Sequence, residues 1–83
     1  MSEIGTMTGP VVEHEGYFWL IIPLEQGGKH FIDCSKGVSL VEDGYLKIFI
    51  AARVAEGLGI RNGSTVQINN RDGKLNIQLA APN

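Results

Sequence analysis

The sequence predicts a mainly β domain, a small barrel with one short α-helix at about residues 51–58, and three features carry that expectation. The runs "YFWLIIPL" and "YLKIFI" are rich in aromatic and β-branched residues, the composition of strands. The stretch from Gly57 to Ile77, "GLGIRNGSTVQINNRDGKLNI", largely alternates apolar and polar residues, which places successive side chains on opposite faces of a strand. Glycine-bearing turns such as "EDG", "RNGS" and "NRDG" separate the runs.

In chain order, residues 1–9 ("MSEIGTMTG") have no period and are expected to form a flexible N-terminus, followed by one domain over 10–80. "YFWLIIPL" is apolar on both faces, which suits a strand covered on both sides. Pro23 lacks a ladder donor and belongs at its end or edge. "EQGGK" then supplies a turn and "HFIDC" a second extended arm, so the pair reads as a hairpin. Val38, Leu40 and Val41 fit a short strand before "EDG" turns the chain into "YLKIFI". There Leu46, Ile48 and Ile50 share one face, and Tyr45, Lys47 and Phe49 share the other.

Ala51, Val54, Ala55 and Leu58 recur at helical spacing. The helix they predict is under three turns long, so tertiary packing must hold it. Gly59 suits a left-handed residue that ends it, and Leu58 and Ile60 are expected to bury against the sheet. Beyond the turn at Gly63, "TVQIN" directs Val66 and Ile68 inward, and "KLNIQL" does the same with Leu75, Ile77 and Leu79.

Eighty-three residues with 43% apolar and 19% charged content make one small domain, near the lower limit for folding without metals or disulfides. The single cysteine, Cys34, rules out an intramolecular disulfide. The apolar runs are too short to span a bilayer and the N-terminus has no leader pattern, so a cytoplasmic protein with no membrane partner is expected. The net charge of −2 conceals an asymmetry. Residues 1–43 set two cations against seven acids, giving −5, and residues 44–83 set five cations against two acids, giving +3.

Over residues 44–79 the predicted β-α-β-β order, with "LGI" after the helix and "DGKL" opening the last strand, resembles the swapped-hairpin DNA-binding domain of the SpoVT/AbrB family, with the antitoxin MazE within it. The same unit recurs in cradle-loop and double-psi barrels. The resemblance implies a swapped-hairpin or cradle-loop barrel and a homodimeric regulator or antitoxin-like protein. Its implied partners are double-stranded DNA and, in the antitoxin case, a toxin protein. In the family the hairpin before the helix faces DNA, and here it carries Lys47 beside Glu42 and Asp43. The family's proline at the helix start is Ala51. Lys47 takes its DNA-contacting role from the resemblance, while Arg53, Arg61, Arg71 and Lys74 are chosen by charge as phosphate contacts. The alternative is a protein- or small-ligand-binding barrel that works through Tyr45, Phe49 and Trp19.

Catalytic chemistry finds little support. In an extended run His30 and Cys34 stand about 13 Å apart, too far to share a proton. Glu13 with Glu15 reads as the wet face of a strand, and Glu42-Asp43 as a polar turn. A pyruvoyl precursor needs Gly-Ser before the helix, where this chain has Gly44-Tyr45, and "GLGIRNG" departs from the dinucleotide spacing. The expectation is therefore no enzyme, no catalytic residue, no cofactor and no metal. Trp19, with Tyr17 and Phe18, reads as core and rim packing or as an aromatic stacking platform.

Overall fold

The computed structural model describes residues 5–80. Six strands form one antiparallel sheet: β1 (Thr6–His14), β2 (Tyr17–Pro23), β3 (Ser39–Glu42), β4 (Tyr45–Ile50), β5 (Thr65–Arg71) and β6 (Lys74–Leu79). Their spatial order is β3-β4-β2-β1-β5-β6. One helix, α1 (Ala52–Leu58), joins β4 to β5. The mainly β class, the single short helix and the β-α-β-β order over 44–79 are thus as the sequence predicts. Barrel closure is not: among the described residues β3 and β6 end the ladder without pairing to each other.

Three hairpins are closed by the same device. Glu15-Gly16, Asp43-Gly44 and Asp72-Gly73 all have positive φ, from 54° to 87°, at the two central positions of two-residue loops between paired strands. That is the type I′ turn, whose twist matches the strands it joins.

β1 holds the sheet together by pairing with β5 over Thr6–Pro10 and with β2 over Val11–His14. Residues 6–9 are therefore strand, a correction to the expected flexible N-terminus, while residues 1–4 lie outside the described residues. Their ladder partners, Val66 to Asn69 on β5, are far along the chain, and local composition carries no trace of them. At Gly9 the strand crosses close to β2: a Cβ there meets the Ile21 carbonyl at 3.0 Å and the Leu20 side chain at 3.2 Å.

The core lies on one side of the sheet. Val11, Leu20, Ile22, Leu46, Ile48, Ile50, Val66 and Ile68 enter it from the strands, joined by Phe31, Ala55 and Ile60. α1 begins at extended Ala51 and ends at left-handed Gly59, whose N–H reaches the Ala55 and Glu56 carbonyls. Ile60 N–H then donates to the Ala55 carbonyl at 2.8 Å, a Schellman-type stop. Ile60 is buried as expected, but Leu58 is 37% exposed. Helical spacing overstated the contact face: in so short a helix only Ala55 is buried.

The segment "EQGGKHFIDCS" also departs from the expected turn and extended arm. It forms three 3-10 turns, Leu24–Gln26, Gly28–Phe31 and Asp33–Ser35, and not the second arm of a hairpin. β2 is already paired with β1 on one edge and β4 on the other, so no ladder is open to another arm. In the turns Phe31 and Ser35 point inward together, 1% and 0% exposed. The Ser35 hydroxyl donates to the Phe31 carbonyl at 2.7 Å, and its oxygen lies 2.7 Å from Ser39 Oγ. The buried polar group is thereby satisfied. Gly28 fits here because its hydrogen faces the Pro23 carbonyl, 2.8 Å from where a Cβ would sit. Gly28→Ala is expected to cost about 1–3 kcal/mol, since backbone must move, read as a lowered urea midpoint at unchanged slope.

Candidate functional site

The two halves of the sheet's outward face differ sharply. Where β1, β5 and β6 pair, the outward positions are Thr6, Thr8, Gln67, Asn69, Asn76 and Gln78, and Asn76 Nδ2 donates to Asn69 Oδ1 at 3.3 Å. That is a wet face. Where β1, β2, β4 and β3 pair, the register instead aligns Val12 with Trp19 and Trp19 with Phe49. It also aligns Ile21 with Lys47, Lys47 with Leu40, and Pro23 with Tyr45. All of these alternate with the core residues Leu20, Ile22, Leu46 and Ile48, so they face away from the core.

This outward face is open and largely apolar, with His14, Glu42 and Lys47 set among its apolar residues. Val12, Tyr17, Leu40 and Tyr45 are 42–55% exposed, and Trp19, Ile21 and Phe49 are half-buried. Phe49 anchors it, with its ring centroid 5.4 Å from Trp19 and 5.7 Å from Tyr17 in tilted and edge-on geometry, the favourable aromatic arrangement. Val12, Trp19, Ile21 and Leu40 line a shallow depression of about 360 Å³. The strands stand about 4.8 Å apart and their depth runs from four residues in β3 to seven in β2. The three residues picked from sequence for an interface, Tyr45, Phe49 and Trp19, all stand here. Val12, Tyr17, Ile21 and Leu40 join them, and the signal for Ile21 and Leu40 was the double-sided apolarity of their strands.

Lys47 lies on the same face, but its Nζ donates to Glu42 Oε1 at 2.8 Å. The bond and charge of Lys47 hold the Glu42 carboxyl below its ordinary value of 4.5, and Glu42 in turn raises Lys47. Because the Glu42 pKa is depressed on folding, the pair's contribution is present above the unfolded carboxyl value and lost as pH falls through the folded one. In an NMR titration Glu42 is expected to titrate below 4.5, and Lys47→Met to return it toward that value.

The remaining cations stand elsewhere. Arg71 and Lys74 face each other across the β5–β6 hairpin. Lys74 lines a groove with Ala51 and Val54, so the hairpin tip lies beside the start of α1, which carries Arg53 in its first turn. Arg61 lies before β5, and its N–H bonds Ser64 Oγ. The length of β5 puts it about 20 Å from Arg71. The five sequence-chosen cations therefore divide into three places: Lys47 on the apolar face, Arg53, Arg71 and Lys74 near the hairpin tip, and Arg61 at the far end.

The groups weighed for chemistry also settle into local roles. The coiled path of 24–35 removes the strand-distance reason for separating His30 from Cys34. Cys34 Sγ instead donates to the Phe31 carbonyl at 3.6 Å, and burial pushes its thiol up, away from the reactive thiolate. Glu15 sits in a left-handed turn position, not on a strand face. Among the described residues no group of three His, Cys, Asp or Glu is placed to hold a metal. No helix there is long and apolar enough to cross a membrane.

No family model matches the chain, and neither do curated proteins or solved structures.

Proposed function

We propose that this chain is a non-enzymatic protein-binding module whose working surface is the outward face of β1, β2, β4 and β3. One observation carries the reading: the chain makes one half of its sheet's outward face polar and the other half largely aromatic and aliphatic. Contiguous apolar surface of that kind marks an interaction site. The occupant is a neutral, largely apolar surface of another protein, because the face's single cation is neutralised by Glu42 within the face. An open slab suits a flat macromolecular partner better than a small molecule, which favours an enclosed pocket.

The grouping of Arg53, Arg71 and Lys74 near the hairpin tip favours a second reading, the duplex-binding regulator implied by the SpoVT/AbrB resemblance. One set of variants separates the two. The first combines Trp19→Lys with Phe49→Lys, and the second changes Arg53, Arg71 and Lys74 to Gln. The protein-binding reading expects a protein retained by the wild type and the Gln variant but not by the Lys variant, and reproducible with purified components. Binding of a labelled duplex at about 50 mM salt that the Gln variant abolishes, without any face-dependent protein, overturns it.

A further inference from the structure

We infer that β3 is a docking edge for a second copy of this chain, pairing antiparallel with its own counterpart about a two-fold axis at Leu40. The inference stands on the backbone of β3 and does not rest on what the outward face binds.

β3 is one end of the sheet. Phe49 N–H donates to the Val38 carbonyl at 2.7 Å while Val38 N–H donates to the Ser35 carbonyl at 3.0 Å, and alternation along the antiparallel ladder then directs the polar groups of Leu40 and Glu42 toward β4. The N–H and C=O of Ser39 and Val41 point the other way, to the free edge. Natural edges are protected by prolines, lysines, bulges or a covering element. "SLVE" has no proline or lysine, its neighbour Val38 and its own Leu40 and Val41 are 44–52% exposed, and β4 is its one strand partner. At the opposite end of the sheet Leu75 and Ile77 of β6 line a groove with Cys34 and Val54, which Val38 borders as well, so the open part of the β3 edge is Ser39 to Val41.

Self-complementarity fixes the partner and the register. With Leu40 on the axis, Ser39 exchanges both its hydrogen bonds with the second copy's Val41, and Val41 does so with the second copy's Ser39. No other register within the strand uses all the free groups. The antiparallel direction also brings Lys36, held only loosely by Asp33 at 3.9 Å, toward the second copy's acidic turn at Glu42 and Asp43. A parallel arrangement would set acid beside acid. The two Leu40 side chains meet on the outward side, so the two apolar faces join across the axis.

The test is disulfide trapping in a Cys34→Ser background. Leu40 opposes itself in a non-hydrogen-bonded pair, where Cα atoms lie about 4.5 Å apart, within the range a disulfide spans. Under mild oxidation Leu40→Cys is expected to form covalent dimer at least about tenfold faster than Val12→Cys, an exposed control on the same face. Val41→Pro added to Leu40→Cys removes only the outward N–H, leaves the β4 ladder intact, and is expected to abolish that advantage with an unchanged circular dichroism spectrum. Should Val41→Pro not fold, Leu40→Lys in the otherwise unaltered chain sets like charges on the axis and is expected to weaken dimerisation in sedimentation. Equal trapping at 12 and 40, faster trapping at 39 or 41, or dimers untouched by Val41→Pro or Leu40→Lys overturns the inference.

Discussion

Phe31→Ala is expected to lower stability by about 3–5 kcal/mol, the range for emptying a buried aromatic site. For a chain of 83 residues, whose total stability is of order 4–12 kcal/mol, that loss removes much of the folded population. The magnitude follows from where the 3-10 turns put the ring: Phe31 is 1% exposed and packs with strand residues of both halves of the sheet. His30→Ala, at an exposed position next to it, is expected to stay within about 0.5 kcal/mol. Urea unfolding of both variants checks the contrast. Similar small effects would remove the turn segment from the core and restore the extended reading of "HFIDC".

The second large effect falls on binding instead of folding. Trp19→Lys with Phe49→Lys is expected to weaken partner binding by at least about thirtyfold, the roughly 2 kcal/mol that a single central aromatic anchor carries. The free chain should lose the two pairings of the Phe49 ring, about 0.5–1.5 kcal/mol each, and set two lysines opposite each other in the ladder, but stay folded because both side chains are half-buried on an open face. Tyr45→Lys, at the more exposed rim, is expected to have a smaller binding effect. A double variant that unfolds as far as Phe31→Ala would assign these aromatic residues to the core.

Much of this fold is written in local pattern. Period two placed Leu46, Ile48 and Ile50 inward and Tyr45, Lys47 and Phe49 outward, as observed. Gly59, Gly63 and the Asp72-Gly73 pair occupy the positive-φ positions their turns require. The failures arise where a distant partner decides. Thr6 to Gly9 are strand because β5 pairs with them, and 24–35 coils because both edges of β2 are occupied. Leu58 has helical spacing, but α1 is too short to turn a second row of side chains onto the sheet.

The candidate site was legible in part for a related reason. "YFWLIIPL" announces two apolar faces but does not say whether the chain itself covers both. Trp19, Tyr45 and Phe49 were readable as interface candidates, whereas the closeness of Val12 and Leu40 to them depends on the order β3-β4-β2-β1. Charge alone grouped Arg61 with Arg71 and Lys74, and the length of β5 separates them.

The measurement that bears most directly on the protein-binding face uses the single tryptophan. Trp19 stands on β2 within the face and shares a depression with Leu40, so the partner-dependent change is read at a fixed concentration of the chain. The fluorescence of the full chain is followed, with and without the purified protein that it retains, together with quenching by acrylamide. The proposed function expects a blue shift and loss of quencher access on binding. A partner that binds while Trp19 stays as accessible as in the free chain, or a chain that retains no protein, would contradict it.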